Sequence, residues 1–320
     1  MEDKDLLVQV SWLYYRQGLT QEQISKKLGF SRVKVQRLLV RARNEGIVEI
    51  KINFPFEVCL ELRQRLETLY GLRQAAVVPA AWTDEDLENA LGEVGAEMLS
   101  RFMADAASVG VGWGVTVSAV VRHYPAQPVA GSLVVGLLGG QPQLSGVNPG
   151  EIAKGLSRKL GGECYTVPAP CFVNSKETRT ILLGQPSIRQ TLELAERVDL
   201  ALVGVGTTMH NATLVKAGFL SPSEMAQLRA MGAVGDILGH FFDDQGRIIE
   251  SEFEDRVISL ELERLRRIPT VLCVAGGTEK VRAIHAALKT GAIDALVTDE
   301  HVARELVALA ADQDTARVNR

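Results

Sequence analysis

The chain has 320 residues, of which 46% are hydrophobic and 23% charged, values typical of a globular protein with room for two domains. No stretch approaches the roughly 18 to 20 uninterrupted apolar residues of a membrane helix, and no signal peptide is recognisable behind the acidic N-terminus. We therefore expect a cytoplasmic protein with no membrane partner. The four cysteines and five histidines form no CxxC or HxxxH spacing, so neither a metal site nor a cofactor is expected.

The charge is distributed unevenly along the chain. Residues 1–55 carry ten Lys or Arg against six Asp or Glu, whereas the remaining residues carry 25 against 33. Within residues 26–43 there are seven basic side chains and no acidic one. A basic head on an acidic body is typical of a protein that binds nucleic acid. The alternative for such a head is a three-helix module that binds protein.

The head has the pattern of a winged helix-turn-helix. Apolar spacing predicts helices over residues 5–17, 20–28 and 31–44. Thr20 and Gln23 can form a capping box, Gly29 supplies the tight turn, and Ser31 can cap the third helix. Alternation of apolar and charged residues over 47–52 then predicts a strand, which would be the wing. The sequence thus predicts an all-α/winged helix-turn-helix domain over residues 1–55.

A helix-turn-helix inserts the N-terminal half of its second helix into the major groove of DNA. Arg and Gln side chains suit bidentate contacts with guanine and adenine edges, while other basic side chains hold phosphates. The predicted base-reading residues are Ser31, Arg32, Val33, Gln36 and Arg37. The predicted phosphate-binding residues are Lys26, Lys27, Lys34, Arg41 and Arg43. Operator double-stranded DNA is the partner that this pattern favours.

A linker helix is predicted between the head and the body, over residues 56–71. Its apolar residues recur at helical spacing as a narrow stripe, formed by Val58, Leu62, Leu66 and Leu69. The stripe could pack on the body of its own chain or pair with a second copy. Because heads that read DNA usually act in pairs on two half-sites, pairing is the favoured interpretation.

The body, residues 72–320, alternates short apolar runs with helical segments, which predicts an α/β domain with a Rossmann-like parallel sheet covered on both faces. The predicted strands are Ala75–Val78, Ser108–Val111, Leu133–Leu137, Cys164–Val167, Leu200–Val203, Val271–Val274 and Ala295–Thr298. Helices are predicted over residues 85–102, 116–123, 150–160, 187–197, 223–230, 258–266, 278–290 and 300–310.

Three glycine-containing turns follow predicted strands of the body. Glycine lets the backbone approach a phosphate, and amides at a helix start meet its charge, although such turns also use glycine for geometry alone. The side chain of Trp113 could close over a ligand or pack in the core. The candidate residues of these turns are Gly112, Trp113, Gly114 and Thr116, then Gly204, Gly206 and Thr207, and finally Lys280.

Two aspartates stand in otherwise apolar surroundings. Asp236, within Gly235-Asp236-Ile237, could accept hydrogen bonds from sugar hydroxyls or cap a neighbouring backbone group, and the sugar role is favoured. Asp299 is interpreted as the N-cap of the last helix. Asp236 therefore joins the candidate effector-binding residues.

The chain resembles the SorC family of sugar-binding transcriptional regulators over nearly its whole length. The similar strings are Leu13-Tyr14-Tyr15, Leu19-Thr20-Gln21-Glu22-Gln23-Ile24, Gly112-Trp113-Gly114, Gly204-Val205-Gly206, Gly235-Asp236-Ile237 and Leu296-Val297-Thr298-Asp299. The resemblance implies a sugar-phosphate-isomerase-like effector domain that binds a phosphorylated sugar, with residues 112–116 at the phosphate. It also implies a dimer or tetramer that represses a sugar-catabolic operon.

Two other functions fit parts of this pattern. The likeness to isomerases raises the possibility of an active sugar-phosphate isomerase or deaminase. Met209-His210-Asn211 resembles the deaminases, but the aspartate that they carry ahead of this histidine is absent, so no catalytic residue is predicted. A DNA-binding protein whose body only oligomerises is the third interpretation.

Overall fold

The computed structural model of the protein describes residues 2–48, 57–80, 83–140 and 147–318. By its internal contacts the chain forms two compact units, residues 1–55 and residues 56–320. Within the described ranges, no helix combines the length and the apolar character that crossing a membrane requires.

The first unit is built from three helices around one small core. They are α1 (Glu2–Ser11, continued by a π-helical turn over Trp12–Arg16), α2 (Gln21–Leu28) and α3 (Arg32–Asn44). One face of each helix is apolar, and these faces meet. The buried residues are Leu7, Val10, Leu13, Ile24, Val35, Leu38, Leu39 and Ala42.

The predicted caps and turn of the head are confirmed. Thr20 Oγ1 accepts a hydrogen bond from Gln23 N at 3.3 Å, and Gln23 Oε1 accepts one from Thr20 N at 2.8 Å. Gly29 adopts φ +69°, which glycine tolerates without strain. Ser31 Oγ accepts from Lys34 N at 3.2 Å. The predicted wing strand over 47–52 lies mostly outside the described residues.

The second unit contains a seven-stranded sheet that is parallel throughout, in the order β1-β10-β9-β5-β2-β3-β4. All seven predicted strands of the body are confirmed. A second, three-stranded antiparallel sheet, β6-β7-β8, was not predicted. The strands are β1 (Gln74–Val78), β2 (Ser108–Val111), β3 (Leu133–Gly140), β4 (Glu163–Pro170), β5 (Leu200–Val203), β6 (Gly206–Thr207), β7 (Gly235–Ile237), β8 (His240–Phe242), β9 (Thr270–Val274) and β10 (Ala295–Asp299).

Eleven helices of the second unit fall within the described ranges. They are α4 (Glu57–Tyr70), α5 (Asp84–Met103), α6 (Val115–His123), α7 (Pro149–Leu160), α8 (Lys176–Leu183), α9 (Pro186–Ala195), α10 (Thr213–Lys216), α11 (Pro222–Ala230), α12 (Leu262–Leu265), α13 (Val281–Lys289) and α14 (Glu300–Val318). The helix predicted over 258–266 is wrong except for α12. Its first residues are extended, because Ile258 N donates to Cys171 O and Leu260 N to Leu137 O, both at 2.7 Å.

The predicted linker helix is part of the body. Leu62 and Leu66 of α4 are buried in the main core, and α4 packs on β1 and α14. Glu67 Oε1 accepts a hydrogen bond from Ala75 N at 2.8 Å, and the Tyr70 hydroxyl donates to Leu306 O at 2.9 Å. Burial of Leu62 and Leu66 within their own chain favours packing of the stripe on the body over pairing with a second copy, although Val58 of the same stripe is 42% exposed.

The strand order creates one point where the direction of winding reverses. From β2 the chain adds β3 and β4 on one side, and then returns to place β5 on the other side of β2. In open parallel sheets, ligands bind beyond the carboxyl ends of the strands at such a switch point. The ends of β2 and β5 are therefore where a ligand site is expected.

Candidate binding sites

A pocket lies at this switch point and encloses about 420 Å³, its open mouth included. It gathers eight of the nine candidate effector-binding residues. The lining residues are Trp113, Gly114, Val115, Thr116, Gly204, Val205, Gly206, Thr207, Thr213, Leu214, Asp236, Leu238 and Lys280. The ends of β2 and β5, the small sheet and the turn before α13 therefore converge on one cavity.

The start of α6 presents backbone amides at this pocket. Gly114 precedes the helix with φ +112°, a conformation that favours glycine. The first hydrogen bond of the helix runs from Ser118 N to Gly114 O at 2.9 Å. The amides of residues 115–117 lie ahead of that bond and have no acceptor within the helix. Such an array of N–H groups can bind an anion.

Two residues of this turn are engaged within the protein. The hydroxyl of Thr116 donates to Val274 O at 2.7 Å, so toward a ligand it can act only as an acceptor. The amide of Gly112 donates to Leu202 O at 2.8 Å, and this residue does not line the pocket. A Cβ at Gly112 would lie 3.1 Å from Leu238 Cδ2, so a larger residue here would be packed tightly against Leu238.

Asp236 is the buried acid of the pocket, with a relative exposure of 3%. Its Oδ2 accepts a hydrogen bond from Gly239 N at 3.0 Å, whereas its Oδ1 is buried without a partner among the described residues. Burial raises the pKa of this carboxyl to about 6, against the opposing effects of the Gly239 hydrogen bond, His240 and Lys280. Oδ1 is therefore a buried acceptor whose hydrogen-bonding capacity no described residue satisfies.

Lys280 is the basic residue of the pocket and ends the short turn before α13. It is partly buried, and its ammonium group makes no hydrogen bond or ion pair with a described residue. Burial lowers the pKa of its ammonium group, while the carboxylates of Glu279 and Asp236 raise it. A partly desolvated amine without a fixed partner is suited to an anionic ligand.

Trp113 has a role in the core as well as in the pocket wall. Its ring is 8% exposed and packs edge-on against Phe219, with 4.7 Å between the ring centroids.

His210, by contrast, lies exposed in a turn and does not line the pocket. The faint similarity to deaminases around His210 thus has no counterpart in the arrangement of the pocket.

The hairpin between β7 and β8 forms the apolar side of the pocket. Its two loop residues, Leu238 and Gly239, both have positive φ, +55° and +85°, as a type I′ turn requires. Leu238 is the one non-glycine residue in the described ranges with this conformation, and its side chain is 2% exposed. Sequence reasoning missed Leu238, because type I′ turns are signalled by Asn, Asp or Gly at this position and not by leucine.

His240, the first residue of β8, is fixed by a buried polar cluster. Its Nδ1 lies 2.7 Å from Glu254 Oε1, and its Nε2 lies 2.8 Å from Ser259 Oγ and 3.1 Å from Leu260 O. Both ring nitrogens of His240 are therefore engaged, and which of them donates depends on the tautomer of the ring. The cluster ties the hairpin to residues 254–260.

The predicted DNA-reading residues lie on the exposed face of the head. The side chains of Arg32, Gln36 and Arg37 are exposed and have no hydrogen-bond or ion-pair partner among the described residues, while Val33 is 58% exposed. Other candidates are partly engaged. Lys34 Nζ lies 3.9 Å from the centroid of the Phe30 ring, and the Ser31 hydroxyl caps α3. Lys26 forms an ion pair with Glu22 at 3.0 Å, and Arg41 forms one with Glu45. Lys27 is exposed.

The parallel sheet and its polar pocket define a ligand-binding α/β domain. In the described ranges, no cluster of His, Cys, Asp or Glu could hold a metal ion.

Comparison with known proteins identifies the family of this chain. Residues 54–308 match the family described as "Putative sugar-binding domain". The erythritol catabolism regulatory protein EryD of Brucella abortus is 34% identical over 95% of this chain and 97% of its own.

Two further relatives extend the similarity over both units. The deoxyribonucleoside regulator of Bacillus subtilis is 34% identical over 96% of this chain and 98% of its own. The full-length sorbitol operon regulator SorC from Klebsiella pneumoniae superposes with a TM-score of 0.79 at 28% identity, over 95% of this chain and 99% of its own. The chain belongs to the SorC family of sugar-binding transcriptional regulators. It is a transcriptional regulator and not an enzyme.

Proposed function

We propose that this protein is a cytoplasmic repressor of a sugar-catabolic operon, and that a phosphorylated sugar controls its affinity for operator DNA. Residues 1–55 act as a winged helix-turn-helix head, and residues from about 56 onward act as the effector and oligomerisation domain. The relatives are named for erythritol catabolism, deoxyribonucleosides and a sorbitol operon. These names support small polyols and sugars as the chemical class to test.

The convergence of complementary groups in one pocket carries this proposal. Free amides at the start of α6 and the ammonium of Lys280 suit the charge of a phosphate. The partnerless Oδ1 of Asp236 suits a neutral hydroxyl. A phosphorylated sugar presents both kinds of group on one small molecule.

On the DNA side, the proposal places α3 in the major groove. Its exposed face carries Arg32, Gln36 and Arg37, with further basic residues around it. Arg and Gln can discriminate guanine and adenine, and the surrounding charges attract the phosphate backbone. Two heads in a dimer or tetramer would bind two half-sites, with affinity raised by their linkage.

Control by the effector follows from linkage between the two binding events. An effector that binds one arrangement of the assembled bodies more tightly shifts the population toward that arrangement, and with it the spacing of the heads. Coupling of this kind is typically ~1–3 kcal/mol, enough to change operator occupancy by about 5- to 150-fold. In a repressor, the arrangement that the effector favours is the one that binds operator poorly.

The test begins with thermal melting of the full chain in the presence of pentose, hexose and polyol phosphates, because a ligand of the folded state raises the melting temperature. Each unphosphorylated parent sugar is the matched control. A phosphate that stabilises the protein should also weaken binding to operator DNA, and sedimentation should show a dimer or larger species. Absence of any phosphorylated ligand that changes DNA binding, or a strict monomer on DNA, would contradict the proposal.

A further inference from the structure

Val33 is an apolar side chain in an unusual place. It lies in the first turn of α3 and is 58% exposed, more than any other hydrophobic residue of that helix. The core of the head is filled by Val35, Leu38 and Leu39 on the opposite face. Val33 is therefore not needed for folding of the head.

Exposure of a valine at this position has a cost. A β-branched residue loses rotamer freedom in a helix, and Lys, Arg or Glu would be better helix formers at a solvated site. The flanking positions on the same face, Arg32, Gln36 and Arg37, are polar, as expected of a solvated surface. The valine thus interrupts a mostly polar face, and among the described residues it belongs neither to the core of the head nor to the hydrophobic residues packed against that core.

The electrostatics of this surface identify what covers the valine. Residues 26–43 hold seven basic side chains and no acidic one, so the surface complements a polyanion. Within the major groove of DNA, the C5-methyl of thymine is the apolar group that protrudes from a base edge, and small apolar side chains contact it. An amphipathic protein partner would place its apolar side chains among these basic side chains.

We propose that Val33 is a specificity-determining residue that contacts the C5-methyl group of a thymine in the operator. The proposal rests on the proposed binding of DNA by α3. Gln36 lies at i+3 from Val33, so their Cβ atoms are about 5–6 Å apart. Because successive bases on one strand are about 3.4 Å apart, the thymine lies within about two base pairs of the base that Gln36 reads.

The test uses a duplex enriched by the full-length protein from a random-sequence library. Each thymine of the duplex is replaced in turn by deoxyuridine, which removes only the methyl group. Loss of the contacted methyl should weaken binding by wild type about fourfold, since burial of one methylene-sized group contributes about 0.8 kcal/mol. Val33→Ala should bind the unmodified duplex correspondingly less tightly and show no further loss at that position.

Val40→Ala is the matched control, since Val40 is also exposed, at 40%, but lies two turns further along α3. It should retain the wild-type response to deoxyuridine. If no thymine is sensitive in wild type, or if the sensitive thymine remains so in Val33→Ala, the contact does not exist. Failure to enrich any duplex would instead contradict the proposed function itself. Unchanged melting temperatures of both variants exclude unfolding as the cause.

Discussion

The Oδ1 atom of Asp236 lies against the Cα of Gly206, and a Cβ built on that glycine would stand only 1.9 Å from the carboxylate oxygen. The two residues face each other across the pairing of β6 with β7. The carboxylate therefore keeps its place in the pocket only because position 206 has no side chain.

Gly206→Ala should displace Asp236 and remove the response to effector. Forcing a methyl group into filled space costs typically about 1–3 kcal/mol, so the free energy of unfolding should fall by that order. Gly204→Ala is the matched stability control, because its Cβ would meet nothing nearer than Thr116 Oγ1 at 3.4 Å. Urea unfolding of both variants measures the difference, and equal stability of the two would show that the pocket relaxes easily.

Asp236 should make stability depend on pH in a predictable direction. Its pKa rises from 3.8 to about 6 on folding, so the folded state binds more protons between these values. Burial of the ionised carboxylate lowers the free energy of unfolding. This destabilisation is absent below pH 3.8, grows as pH rises through 6, and reaches about 3 kcal/mol at neutral pH. Asp236→Asn cannot ionise and does not carry this pH-dependent penalty.

The measurement compares urea unfolding of wild type and Asp236→Asn without effector at pH 5 and pH 8. The stability of the variant relative to wild type should increase by about 1–2 kcal/mol between the two pH values. Taking the difference between variants cancels all titrations that they share. A difference that stays constant with pH would mean that Asp236 is already ionised without cost.

Lys280→Ala should abolish the response to a phosphorylated effector while leaving operator binding without effector intact. The reason is that Lys280 faces the pocket and makes no ion pair with a described residue, so its removal breaks no observed salt bridge. Lys289→Ala is a control on the neighbouring helix, since its ammonium contacts Asp244 O at 3.1 Å and is not part of the pocket. The measurement is the affinity of each variant for operator DNA with and without effector. A wild-type response in Lys280→Ala would show that the phosphate does not bind at Lys280.

Arg32→Ala and Gln36→Ala should each weaken operator binding by roughly 1–3 kcal/mol while barely changing affinity for random DNA. Lys27→Ala should weaken both alike and reduce the salt dependence of binding, as expected of a phosphate contact. Titrations on specific and random duplexes at several salt concentrations distinguish these effects. Equal losses on both DNAs for Arg32→Ala and Gln36→Ala would show that α3 does not read the bases.

The main sheet could be predicted because its strands are buried on both faces. Each therefore appears in the sequence as a short apolar run followed by a turn, as in Leu200–Val203 before Gly204. The run Val257–Leu260 looked similar but was assigned to a helix. A run of four residues with three apolar side chains fits either the helical or the strand period, and only the hydrogen bonds to Leu137 and Cys171 show that it is extended.

The pocket was predictable as a set of residues but not in the role of each atom. Glycine turns after strands indicated where backbone would approach a ligand, and the parallel sheet brought their ends together. That Thr116 gives its proton to Val274 O could not be read from the sequence, because the partner is 158 residues away. The small sheet was missed because its strands have only two or three residues, too few for any periodicity.

The burial of Leu62 and Leu66 bears on how such regulators can be taken apart and recombined. A fragment that began at residue 72 would lack both side chains and would expose the surface of β1 and α14 that they cover. A fragment that kept α4 would retain an intact core. The domain boundary therefore lies before α4. Exchanging heads between family members at this boundary would leave the ligand-binding core of each protein intact.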